Sequence, residues 1–123
     1  MMMDWNEYRK QVGAAVVDMA KMSPDTVRGY SQISGASAKP GHLDPKTREM
    51  IALAVAVTRQ CDACIAVHID AAVKAGATRE EIMDALSVAV AINAGAALMY
   101  SARALDAFQA RTEASGAPAA PAG

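Results

Sequence analysis

From Asp4 to Met22, apolar side chains recur at Trp5, Tyr8, Val12, Ala15, Val16 and Met19, the spacing of one helical face. Ser23-Pro24 closes that run. A second, shorter helix is expected over 25–34, with Val27, Tyr30 and Ile33 on one side. Gly35 to Gly41 carry Ser, Lys and Pro and read as a loop. Asp44-Pro45 then gives a start signal, an acceptor side chain at the cap followed by proline at the first helical position.

The next run, 45–60, alternates Ile51, Leu53, Val55 and Val57 with alanine, a pattern that also suits a strand. The residues between are alanines rather than polar groups, and helix start signals precede them, so the helix is preferred. Apolar all round, it is expected to be buried. A fourth helix is expected over 61–75, with Gly76 as its C-terminal cap. Thr78 and Glu81 have the spacing of a reciprocal capping box and predict a helix over 79–93. Gly95 reads as a break or a point of close approach, with a last helix over 96–111. Residues 113–123, rich in Ala, Pro and Gly, read as a disordered tail behind a single domain over 1–112. No segment reads as a strand, so the fold class is all-α.

Composition sharpens this picture. The chain has 123 residues, enough for one domain, and 29 of them are alanine. Hydrophobic residues make up 53% but aromatics only 4%, so helices can approach closely while few large side chains fill a core. Part of so much apolar surface is expected to be covered by further copies of the chain. A net charge of −1 lacks the basic footprint of a nucleic-acid binder. The N-terminal MMMDWNEYRK lacks the layout of a secretory signal. The longest strongly apolar stretch, Met50 to Val57, falls short of the roughly 20 residues of a membrane-spanning helix. No membrane partner and a cytoplasmic location are therefore expected.

Chemistry concentrates at Cys61, Cys64 and His68, a C-x2-C-x3-H motif at a helix start. At roughly 100° per residue, Cys64 lies about −60° and His68 about −20° from Cys61, so all three share one sector. Cys64 and His68 are one turn apart, within reach for an imidazole to take a thiol proton. Only the thiolate is nucleophilic, and a free thiol with pKa about 8.5 is mostly protonated at neutral pH. The base and the positive helix end raise the thiolate fraction, whereas Asp62 opposes it. Glu49, twelve residues upstream, approaches the imidazole if the two helices form an antiparallel hairpin, and would orient it.

Blander readings exist for each residue. Two cysteines in a helical chain can be small core residues, and Glu49 by itself suits a solvated face beside Lys46, Thr47 and Arg48. Metal binding competes, since Cys61, Cys64, His68 and Glu49 offer sulfur, nitrogen and oxygen ligands. Three ligands from one helix fit a tetrahedron poorly, however, and no second Cys/His pair exists, so neither a metal nor another cofactor is expected. His42, in the Gly-Pro loop, receives no role.

Residues 41–108 resemble the carboxymuconolactone decarboxylase superfamily, specifically its alkyl hydroperoxidase D-like (AhpD-like) branch. The E-x11-C-x2-C-x3-H signature of that branch is met by Glu49, Cys61, Cys64 and His68. The segments Gly76 to Ile82 and Ala97 to Tyr100 also match. The resemblance implies an all-helical domain built on an antiparallel helical hairpin, assembling as a homotrimer or homohexamer. It implies a thiol–disulfide oxidoreductase with peroxidase activity, its catalytic residues being Glu49, Cys61, Cys64 and His68. Its substrate would be a hydroperoxide or disulfide, its partner a dihydrolipoyl-type dithiol donor or a peroxiredoxin. The decarboxylase branch lacks the cysteine pair, which argues against action on a small carboxylated lactone; that activity is kept as an alternative, beside a non-redox metal-binding or scaffold role. Which sulfur attacks first stays open.

Overall fold

The computed structural model describes residues 1–39, 41–116 and 121–123. Among the described residues five helices follow one another: α1 (Trp5–Met22), α2 (Pro24–Ala36), α3 (Pro45–Thr58), α4 (Asp62–Lys74) and α5 (Arg79–Ser115). Among the described residues there is no strand. The chain divides into two compact units, Met1–Ala89 and Val90–Gly123, with α5 spanning the division.

In the first unit the helix ends follow the side chains that cap them. Asp4 accepts from the Glu7 amide at 3.0 Å and starts α1. Asp44 accepts from the Thr47 amide at 2.7 Å and starts α3, with Pro45 in the first turn. Ser23 ends α1 and opens α2. The capping box of α5 forms in both directions: Thr78 N–H donates to Glu81 Oε2 at 2.8 Å, and Glu81 N–H donates to Thr78 Oγ1 at 3.1 Å. Gly76 takes φ +82° after α4, a left-handed conformation that glycine adopts without penalty.

Helices α3 and α4 pack as a hairpin, and α1 lies against both α2 and α4. Buried positions are Leu53 and Ala56 of α3, Ala66 and Ala72 of α4, and Ala89. Leu53 is the large side chain among them; the rest are methyl groups that let helices approach closely. Burial of α3 is one-sided, contrary to the expectation of a helix enclosed all round: Ile51 and Val55 remain half exposed. Lys46 Nζ meets Glu81 Oε1 at 2.9 Å and ties the start of α3 to the start of α5.

Three sequence expectations need correction. Gly95 does not break the chain, and one helix runs from Arg79 to Ser115. A single glycine costs about 1 kcal/mol in a helix interior, and the alanines at 94, 96 and 97 carry the helix past it. Of the residues expected to form a tail, 113–115 are helical, and Gly116 follows at φ +66°. Residues 117–120 lie outside the described residues. The third concerns the longest apolar stretch, which lies in α5 rather than at 50–57 and is long enough to cross a membrane by length and composition alone, a property that core helices share. No Asp, Glu, Lys or Arg occurs between Ala85 and Ala102, a run hidden from a reading that looks for bulky residues because much of it is alanine.

Glu81 links two helix starts through its charge. Its carboxyl is held below the usual value by the Thr78 amide and then by Lys46. A depressed carboxylate contributes stability above its unfolded pKa of about 4.5, and that contribution fades as pH falls through the folded value. Glu81→Gln is expected to flatten the acid limb of the stability curve below about pH 4.5. Urea midpoints measured between neutral and acid pH check this; parallel curves for the variant and the parent would contradict it.

Candidate functional site

The turn between α3 and α4 places the cysteines. Arg59 ends α3, and Gln60 follows with φ +53°. Gln60 N–H donates to the Val57 carbonyl at 3.2 Å, and Cys61 N–H donates to the Ala56 carbonyl at 3.0 Å. This pair of bonds satisfies the last carbonyls of α3 with a left-handed residue at the corner. Glycine usually occupies that corner; glutamine there costs about 1 kcal/mol of backbone strain. Nothing in the sequence marks Gln60 for this conformation, and sequence reasoning missed it.

Cys61 therefore has two structural duties. Its amide closes α3, and its side chain caps α4: Cys64 N–H donates to Cys61 Sγ at 3.2 Å. It is the capping residue (φ −104°, ψ +95°) rather than the first helical one, so the sector computed for a continuous helix applies to Cys64 and His68 only. The two sulfurs are bonded to each other in a disulfide, with Cα atoms 5.2 Å apart. Both residues are partly exposed.

His68 lies one turn beyond Cys64 on α4, where Cβ atoms are about 5–6 Å apart. Its Nδ1 donates to Glu49 Oε2 at 2.7 Å, across the hairpin from α3. The two side chains are 32% and 21% exposed, enough shielding to strengthen the contact while leaving the ring accessible. With Nδ1 engaged, a neutral ring carries its lone pair on Nε2. The structure thus pairs the four residues singled out from the sequence on one hairpin, Cys61 with Cys64 at its turn and Glu49 with His68 about two turns along it.

Among the described residues, no group of three or more His, Cys, Asp or Glu side chains is placed to hold a metal ion. Sulfurs bonded to one another also offer no thiolate to a metal.

The carboxymuconolactone decarboxylase family model matches residues 24–107. An uncharacterized protein of Haemophilus influenzae is 45% identical over 108 residues, covering 88% of this chain and 96% of its own. A Paracoccus denitrificans protein, uncharacterized protein 4 of the cox locus, is 35% identical over 95 residues, covering 77% of this chain and 86% of its own. The crystal structure of an apo carboxymuconolactone decarboxylase family protein from Legionella pneumophila is 40% identical, with a TM-score of 0.68 over 85% of this chain and 94% of that one.

With both sulfurs in one bond, the chain as isolated without reductant is expected to take up no alkylating label, and two labels after treatment with a dithiol. Mass spectrometry of the peptide spanning 61–64 reads this directly. Labelling without reductant at both positions would contradict a stable bond.

Proposed function

The chain belongs to the carboxymuconolactone decarboxylase family, and we propose that within it the protein is a thiol–disulfide oxidoreductase with hydroperoxidase activity. The observation that carries the reading is a disulfide set one helical turn from an imidazole that a carboxylate orients. A dithiol donor reduces the Cys61–Cys64 bond, leaving two thiols and an oxidised donor. His68 Nε2 takes the Cys64 proton, and Glu49 steadies the imidazolium through Nδ1. The Cys64 thiolate attacks one peroxide oxygen; the O–O bond breaks and the alkoxide leaves as an alcohol with a proton. Cys61 sulfur then attacks the Cys64 sulfenic acid, water departs and the disulfide is restored. Each turn converts one hydroperoxide and one dithiol into an alcohol, water and a donor disulfide.

Support for the assigned roles is geometric. Cys61 caps α4, so negative charge on its sulfur meets helix-end amides, while Cys64 precedes His68 by one helical turn. Cytoplasmic dithiols of dihydrolipoyl type, or a peroxiredoxin as relay, suit such a centre. Consumption of an organic hydroperoxide with a dithiol donor tests the cycle. Cys64→Ser and Cys61→Ser are expected to abolish turnover, and His68→Ala to lower it by about 100-fold or more. Glu49→Gln, which keeps the ring in place without its counter-charge, is expected to cost less, about tenfold. Full turnover in the double serine variant would replace this reading with a thiol-independent reaction, as lactone decarboxylation would be.

Self-association belongs to the same proposal. In the second unit Val90, Ile92, Leu98, Met99, Leu105 and Phe108 are all more than half exposed. They are spread around the helix rather than along one stripe, so one neighbour would not cover them. We expect an assembly of three or six chains. Light scattering at micromolar concentration is expected to give three or six times the chain mass of 12.8 kDa. A value of one chain mass would refute it.

A further inference from the structure

Away from the cysteines, the first unit holds a cleft of about 510 Å³ between α1 and α4. That lies within the roughly 300–1,000 Å³ typical of small-molecule sites. Ile65, Ile69 and Val73 form its floor, one stripe of α4 at four-residue spacing. Each of the first two follows a redox-site residue directly, Cys64 and His68, so the stripe lies about 100° around α4 from them. Trp5 of α1 forms an aromatic wall, and Arg9, one turn later, stands beside it.

Charge in the cleft is arranged asymmetrically. Arg9 Nη1 pairs with Asp70 Oδ1, while Lys74 Nζ holds the other oxygen, Oδ2, at 2.7 Å. Lys74 first, and Arg9 after it, keep the Asp70 carboxyl below its usual range. A guanidinium has five N–H donors, and among the described residues Arg9 makes this single ion pair. It can therefore turn a second edge to another anion. Asp70 would keep Lys74 even if Arg9 were drawn away, so no charge would be stranded. Lys74 lies outside the lining, but it holds Asp70 from there, so the Arg9–Asp70–Lys74 triad carries one net positive charge at the edge of an apolar cleft.

We propose that this cleft binds an anionic amphiphile, a carboxylate with an unbranched hydrocarbon chain. Its head pairs with Arg9, and its chain lies along Ile65, Ile69 and Val73 against Trp5. Nothing in the redox cycle uses these residues, and the site stands apart from that reading.

Trp5 is the chain's one tryptophan, so its emission reports occupancy without any turnover assay. Titration with decanoate below its micellar concentration is expected to give a saturable blue shift. Decanol and decyltrimethylammonium, equal in chain length, are expected to bind at least tenfold more weakly, the discrimination a charge-assisted pair supplies. Arg9→Gln should weaken decanoate at least tenfold, whereas Asp70→Asn, which frees Arg9 from its competitor, should tighten it severalfold. No saturable shift in the wild type, or equal binding of the three amphiphiles, would overturn the proposal. So would an Arg9→Gln variant that binds decanoate like the parent.

Discussion

The junction at 58–61 is the constraint on which the hairpin rests. Two helices must reverse direction within three residues while the last carbonyls of α3 and the first amides of α4 all find partners. Gln60 supplies the left-handed corner, and the Cys61 amide and sulfur serve opposite sides of it. Once this reversal is fixed, α3 and α4 are antiparallel and in register. Glu49, three turns before the corner, then faces His68, two turns after it. The hydrogen bond across the hairpin follows from the turn, not from any local preference of either side chain.

Much of this was legible in the sequence because it rests on local chemistry. Asp44-Pro45, Thr78 with Glu81, and Gly76 each announce a helix end through a side chain or a missing one, and each does so in the structure. The Glu49–His68 approach was also readable, since helix spacing and a short turn leave few alternatives. Features without a local signal were not readable. Glutamine has no preference for positive φ, so Gln60 looked ordinary. Gly95 carried a break signal that its alanine neighbours outweighed. The cleft joins α1 to α4, some sixty positions apart in the chain, and no periodicity within either helix reports such a pairing.

Alanine explains both the economy of the core and the exposure of the rest. Four of the five buried positions are methyl side chains, which allow α3 and α4 to lie close without bulky filling. The same composition leaves little to shield the larger residues. Ile51, Val55, Val67 and Val73 are half exposed or more even on the two hairpin helices. A helical chain so short of aromatics has few large side chains to fold over its own surface.

Because Cys61 is also a helix cap, its chemistry and its architecture are not separable. Cap positions favour oxygen acceptors such as Asp or Ser, and anions are stabilised at helix starts. With the bond to Cys64 open, the Cys61 sulfur would still sit against the Cys64 amide, so the cap holds that side chain in place in either state. Opening the disulfide would thus leave the start of α4 capped, with no frayed turn for a protease to enter.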